Sequence, residues 1–259
     1  MTGYPVQTES EQESFSGRLL DRDAVKMLAL ATMLLNHVAT IFLQPFTLRW
    51  LLYRDLGFFT CIEMCFFLVE GIGYTRSVTN YGKRLLLFAA LSQLPYMLAF
   101  SEGTALSFNG FNVIVNLFLC FCLVLFFRRE QSRSSRIVFT LAVFAASLTC
   151  DWGPLAPFMT LLFMKAGKDR KALGKAFLLS MAVLALGECL QYSGKVPVPV
   201  LLRLTLGAAA GQGLAALTTL FLYNGKRAEH GRNFFKWFSY CFYPVHLAIL
   251  GLLRIHAGL

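Results

Sequence analysis

The sequence predicts an all-α, polytopic transmembrane helical bundle of about nine to ten membrane segments, and three observations carry that prediction. Hydrophobic residues make up 56% of the 259 positions and charged residues only 15%, where a soluble domain carries nearer a quarter charged. Apolar runs recur along the whole length, several approaching the roughly 20 residues that a bilayer crossing needs. The basic residues fall between those runs, and 19 of the 24 lie on alternate connections. That pattern explains a net charge of +10 as membrane topology rather than nucleic-acid binding. It places the N-terminus in the cytoplasm and the C-terminus outside, with an odd number of crossings of a cell membrane.

Taken in order, residues 1–20 are polar and acidic and lack the apolar core of a signal peptide. They read as a mobile cytoplasmic tail, leaving 21–259 as one transmembrane domain. The apolar segments run roughly over 25–45, 55–75, 84–100, 111–127, 136–150, 154–166, 173–190, 198–223 and 237–254. The fifth and sixth are short and are split by Asp151-Trp152-Gly153-Pro154, a tight turn, so that pair forms either two crossings or a re-entrant hairpin.

The first segment is the most informative. Asp21 and Asp23 suit the positive end of a helix dipole, and Asn36 and His37 then sit within an apolar run where polar side chains are expensive. Lys26 precedes His37 by eleven residues, three helical turns, so the two share a face about 16 Å apart along the axis. Two readings stay open: His37 and Asn36 as hydrogen-bonding glue between helices, or His37 as a proton-accepting base.

The second segment holds Glu63 and Glu70, two turns apart on one face and expected to look inward. Each is a candidate for supporting a site or for pairing with Arg54 or Arg76. Gly71 and Gly73 after Glu70 permit close approach of another group. Tyr81-Gly82-Lys83-Arg84 opens the third segment; Lys83 reads as a topology anchor, and Arg84 offers a planar fork for phosphate. Ser92, Gln93 and Pro95 interrupt that segment. Asn112 and Asn116, one turn apart in the fourth, are helix glue or acceptor contacts. Asp151 and Trp152 face the outer side, as an entrance for an acceptor or a plain interfacial turn. Glu188 closes the seventh segment, Arg203 enters the eighth from outside, and His246 follows Pro244 in the last. The seven cysteines lie in or beside apolar runs without zinc-like spacing, so neither disulfides nor a metal is expected.

Several stretches together resemble the TraX family of membrane acetyltransferases. They are Lys26 with Met33-Leu34-Leu35-Asn36-His37, Phe67-Leu68-Val69-Glu70-Gly71 with Tyr74-Thr75-Arg76, Tyr81 with Arg84-Leu85, Ser92-Gln93-Leu94-Pro95, Asn112-Val113 and Tyr243-Pro244-Val245-His246-Leu247. Asp23, Lys26 and His37 also match in spacing a motif of the wider acyltransferase-3 superfamily, with Lys in place of Arg. Asn36 stands where TraX relatives usually carry Asp, leaving Glu63 or Glu70 as the carboxylate to support His37. The resemblance implies acetyl transfer from cytoplasmic acetyl-CoA to an acceptor reached from outside: a protein amino terminus, a glycan or a small molecule. It further implies catalytic roles for His37, Asn36, Glu63 and Glu70, and cofactor contacts from Lys26, Tyr74, Arg76, Tyr81 and Arg84. Asn112, Asn116, Asp151 and His246 would line the acceptor side. Oligomeric state is left open. The competing class is a proton-coupled small-molecule transporter, which also buries His, Glu and Asn, although no inverted repeat is apparent.

Overall fold

The computed structural model describes residues 18–103, 105–129 and 131–259; residues 1–17 of the expected tail lie outside it. Among the described residues the chain is all-helical, without a strand. Helices α1 (Arg22–Phe42), α2 (Leu48–Tyr74), α3 (Val78–Phe100), α4 (Val113–Phe127), α5 (Arg133–Ser147), α6 (Leu155–Ala166), α7 (Arg170–Tyr192), α8 (Val198–Leu217) and α9 (Arg232–His256) follow in order. A short π-helical turn, Thr218–Leu222, extends α8. These nine helices coincide with the nine apolar segments read from the sequence. Five are long and apolar enough to cross a membrane: α1, α2, α7, α8 with its π turn, and α9.

Polar residues stop and start these helices as their chemistry requires. Asp21 accepts from the Ala24 N–H, Thr47 from Trp50, Ser77 from Asn80, Asn112 from Ile114, Ser132 from Ser135 and Asp169 from Lys171. Each satisfies a backbone donor that the helix leaves unpaired, worth about 1 kcal/mol apiece.

Helix α2 is the central post, packed against α1, α8, α6 and α4. Hydrogen bonds fasten α1 to it: Thr60 donates to the Ala29 carbonyl at 2.7 Å, and the Thr32 and Thr60 hydroxyls meet at 2.9 Å. On its other side α8 approaches so closely that a Cβ on Gly211 would lie 1.9 Å from the Asp55 carbonyl oxygen. Only glycine allows that contact. Beside it Asp55 pairs with Arg203 at 2.6 Å and Arg54 at 3.1 Å, and Arg54 also pairs with Glu188 of α7. This neutralised cluster explains why α2 begins at Leu48, seven residues before the apolar run expected from residue 55. Charges that look like a loop are helical because partners meet them.

The two ends of the bundle differ. At one end the chain just before α1 is strapped to the connection before α9. Leu20 N–H donates to Leu222 O, Asn224 N–H to Leu20 O, and Arg22 N–H to Lys226 O. Residues 18–20, read as part of a loose tail, are therefore tied down, with Arg18 donating to the Tyr223 carbonyl. At the other end Arg254 of α9 donates to Leu98 O of α3. The chain thus enters at one end and leaves at the other. Helix α6, with 12 residues, is about 18 Å long, well short of a bilayer core.

Candidate functional site

At the strapped end the helices leave a cavity of about 240 Å³. The first turns of α1, the start of α3, the strap and the first turns of α9 bring Arg22, Lys26, Arg84, Arg227 and Lys236 to its wall, against a single acid, Asp23. Asp23 is occupied by the Ala228 N–H at 3.0 Å. Arg22 is the one of these five cations in an ion pair among the described residues: it clamps Glu70, which also accepts from the Tyr223 hydroxyl at 2.8 Å. The Arg84 Nε is buried without a hydrogen-bond partner, its guanidinium lying over the Tyr81 and Tyr240 rings. A wall with this charge excess and with uncommitted donors suits an anion.

Deeper in, Met33, Met64, Val113 and Leu117 line this vestibule and also a second cavity of about 40 Å³. The four apolar side chains, shared by both linings, stand as the partition, or neck, that separates the two. Beyond it the small chamber is lined by Asn36 and His37 of α1, Gly57, Thr60 and Cys61 of α2, and Asp151 and Trp152 of the turn between α5 and α6. That turn reaches the chamber where α5 and α6 are short. Asn116 fastens it by donating to the carbonyls of Asp151 and Gly153, both at 2.9 Å. Trp152 is held there in the left-handed region, φ +64°, which costs a non-glycine residue energy and persists only where surroundings impose it.

His37 is 7% exposed. Its Nδ1 lies 2.8 Å from His246 Nε2, and His246 Nδ1 lies 2.7 Å from Phe242 O. The imidazole planes are 3° apart with centroids 5.0 Å apart, so the rings meet edge to edge. Phe100 and Tyr243 stand against His37 in T-shaped contacts at 5.4 and 6.3 Å. Tyr243, 3% exposed, also lines the vestibule, and its hydroxyl hydrogen has no acceptor. The arrangement sets an imidazole in the inner chamber and a phenol on the vestibule side of the neck.

A family model described as TraX protein matches residues 21–254. The chain belongs to the TraX family. The TraX match spans every helix and both cavities. A similar protein is the "Probable fimbrial assembly protein FimC, serogroup H1" of Dichelobacter nodosus, 33% identical over 236 residues, which cover 87% of this chain and 92% of the relative. No solved structure matches.

Within this TraX-family bundle the residues singled out from the sequence separate into three groups. Lys26, Arg84, Tyr74 and Tyr81 line the vestibule, whereas Arg76 is exposed and does not. His37, Asn36 and Asp151 line the chamber, and His246 backs His37. The remaining residues are engaged elsewhere. Glu70 is locked to Arg22 and Tyr223; Glu63, fully buried, accepts from Thr219 Oγ1 at 2.6 Å. Neither lines the chamber, so the carboxylate support for His37 that a missing Asp suggested is not what the structure supplies; a second imidazole stands there. Asn112 caps α4 and donates to Ala89 O and Gln93 Oε1 at 2.8 and 2.9 Å. Asn36 donates to Arg54 O at 3.3 Å. Sequence reasoning missed Arg227, Lys236, Tyr243 and the neck. Arg227 and Lys236 were visible only as topology charges, and Tyr243 only as the first residue of the Tyr243-Pro244-Val245-His246-Leu247 stretch, with no role assigned to it.

Proposed function

We propose that the protein is an integral membrane acetyltransferase that takes acetyl from cytoplasmic acetyl-CoA and passes it to an acceptor arriving from the other side. The observation that supports this reading is the order of the two cavities along α1: five cations line the larger, four apolar side chains are shared by both, and a buried imidazole lines the smaller. By the positive-inside rule the cationic mouth faces the cytoplasm. There Lys26, Arg84, Arg227 and Lys236 would hold the phosphates of the nucleotide. The neck residues Met33, Met64, Val113 and Leu117 would pass a slender thioester arm, since they are apolar and Met side chains adapt their shape. The three-turn offset along α1 supports the same division of labour, because about 16 Å separates Lys26 from His37.

In the chamber His37 would take the proton from the acceptor's amine or hydroxyl as that atom attacks the thioester carbonyl. Tyr243, with its hydrogen uncommitted, would donate from the vestibule side to the oxygen that gains charge; Asn36 is the alternative donor on the chamber side. Collapse of the adduct expels the thiolate, and the imidazolium returns its proton to that sulfur, leaving free thiol and acetylated acceptor. Asp151 and Trp152 would meet the acceptor. The fimbrial name of the Dichelobacter relative favours a protein as that acceptor.

The test is purified protein in lipid nanodiscs given acetyl-CoA labelled in the acetyl group. Loss of thioester, with label passing to water, to the protein or to an added amine, supports the reading. Saturable uptake of a small solute into vesicles without thioester loss would instead identify a transporter.

A further inference from the structure

His246 sits on α9, whose register against α3 is set by contact: a Cβ at Gly251 would lie 2.9 Å from the Leu98 backbone carbon. On its outer side the His246 ring borders an apolar groove lined by Leu34, Phe238, Cys241, Phe242, Val245 and Ile249; among the described residues none of these side chains, the Cys241 thiol included, hydrogen-bonds the ring. Its two nitrogens therefore have one neighbour each, Phe242 O at 2.7 Å and His37 Nδ1 at 2.8 Å. A carbonyl oxygen only accepts, so the hydrogen of a neutral His246 sits on Nδ1. Its Nε2 then has a lone pair and no hydrogen. The short contact to His37 requires a hydrogen from one side, so His37 Nδ1 carries it. The remaining nitrogen of His37, Nε2, is left as a bare lone pair on the ring edge that can face the chamber.

We propose that His246 is a positioning residue: by accepting from His37 Nδ1 it selects the tautomer of His37 whose Nε2 can take a proton. This rests on the reading of His37 as the base. Without the second imidazole, His37 is free to carry its hydrogen on Nε2, where it can donate but cannot accept. When Nε2 gains the acceptor's proton, the Nδ1–H bond to His246 strengthens, because the donor has become charged. His246 touches neither the vestibule nor its cations, so it acts on the proton-transfer step and not on binding of the nucleotide.

The experiment has two arms on the full-length protein in nanodiscs. In the first, nitrogen-15 histidine labelling reads the protonation of each ring nitrogen by NMR, the signals of His37 being assigned by their absence from the His37→Gln variant. The expected result is His37 protonated at Nδ1 and bare at Nε2, with the same tautomer at His246; a hydrogen on His37 Nε2 overturns the proposal. In the second arm, His246→Leu should lower kcat for acetyl transfer by about 10²-fold or more, the range for losing a general base, with KM for acetyl-CoA unchanged. His246→Gln, whose Oε1 still accepts from Nδ1, should recover most of that loss. Wild-type turnover with a fully active His246→Leu protein overturns the positioning role alone. Absence of turnover in the wild type, whatever the tautomer, overturns the enzyme reading and the catalytic purpose of the pair with it.

Discussion

Two arginines on the wall of the vestibule should respond to removal in opposite ways. Arg84 stands there with a buried Nε that nothing in the protein satisfies. Arg84→Ala breaks no internal ion pair and gives up only the guanidinium's contacts with Tyr81 and Tyr240, about 0.5–1 kcal/mol per cation–π contact, so the melting temperature should fall by only a few degrees. On the proposed reading it also removes a charge-assisted contact to phosphate, worth about 1.5–3 kcal/mol, which would convert to roughly a 10- to 150-fold weaker Kd for acetyl-CoA. Arg22 lines the same cavity but is paired with Glu70, which is further held by Tyr223. Arg22→Ala leaves a half-buried carboxylate without its cation, a loss of about 3–5 kcal/mol for a buried pair. It should cost stability first. Calorimetry of acetyl-CoA binding and thermal unfolding, both in nanodiscs, separate the two. Unchanged affinity in Arg84→Ala, or an Arg22→Ala protein as stable as wild type, would refute the division of this wall into binding and structural cations.

Three further outcomes follow from the packing and the passage. Gly211→Ala places a Cβ against the Asp55 backbone oxygen and should lower stability by about 1–3 kcal/mol. Gly187→Ala, with nothing within 4 Å, should be neutral or stabilising; paired thermal melts decide it. Leu117→Trp fills the neck and should stop acetyl transfer while binding of a nucleotide lacking the pantetheine arm persists, measured by calorimetry. Reporter fusions at the two termini should report opposite sides of the membrane, since the chain enters the bundle at one end and leaves at the other; a shared side contradicts the nine-helix topology in the membrane.

Much of the fold was legible because apolar runs and basic connections are properties of local sequence. The nine segments reappear as nine helices, and the largest shift, at the start of α2, has a tertiary cause: residues 48–54, Arg54 among them, read as loop until Glu188 meets Arg54 and Arg203 meets Asp55. The site was legible where one helix carries it. Lys26, Asn36 and His37 share α1, and their spacing survives folding unchanged. It was illegible where several elements converge. Glu63 and Glu70 looked like support for His37 because a carboxylate was expected, yet their partners are Thr219, Arg22 and Tyr223. His246 lies 209 residues from His37, and only the packing of α9 on α3 and α1 makes it a neighbour. The neck is built from ordinary apolar residues whose role exists only in the space they enclose.

The central claim is that a neutral imidazole at position 37 accepts the acceptor's proton, and His37→Gln tests it most directly. Glutamine keeps a hydrogen-bonding group of similar reach toward His246 but has no basic nitrogen, so a structural role survives and a chemical one does not. The measurement is acetyl-transfer rate together with acetyl-CoA affinity for the purified, monodisperse variant in nanodiscs. The account predicts a fall of about 10²–10⁴ in kcat with affinity nearly unchanged, because the proton moves only on the way to the transition state. Turnover near that of the wild type would contradict it and remove His37 from the chemistry.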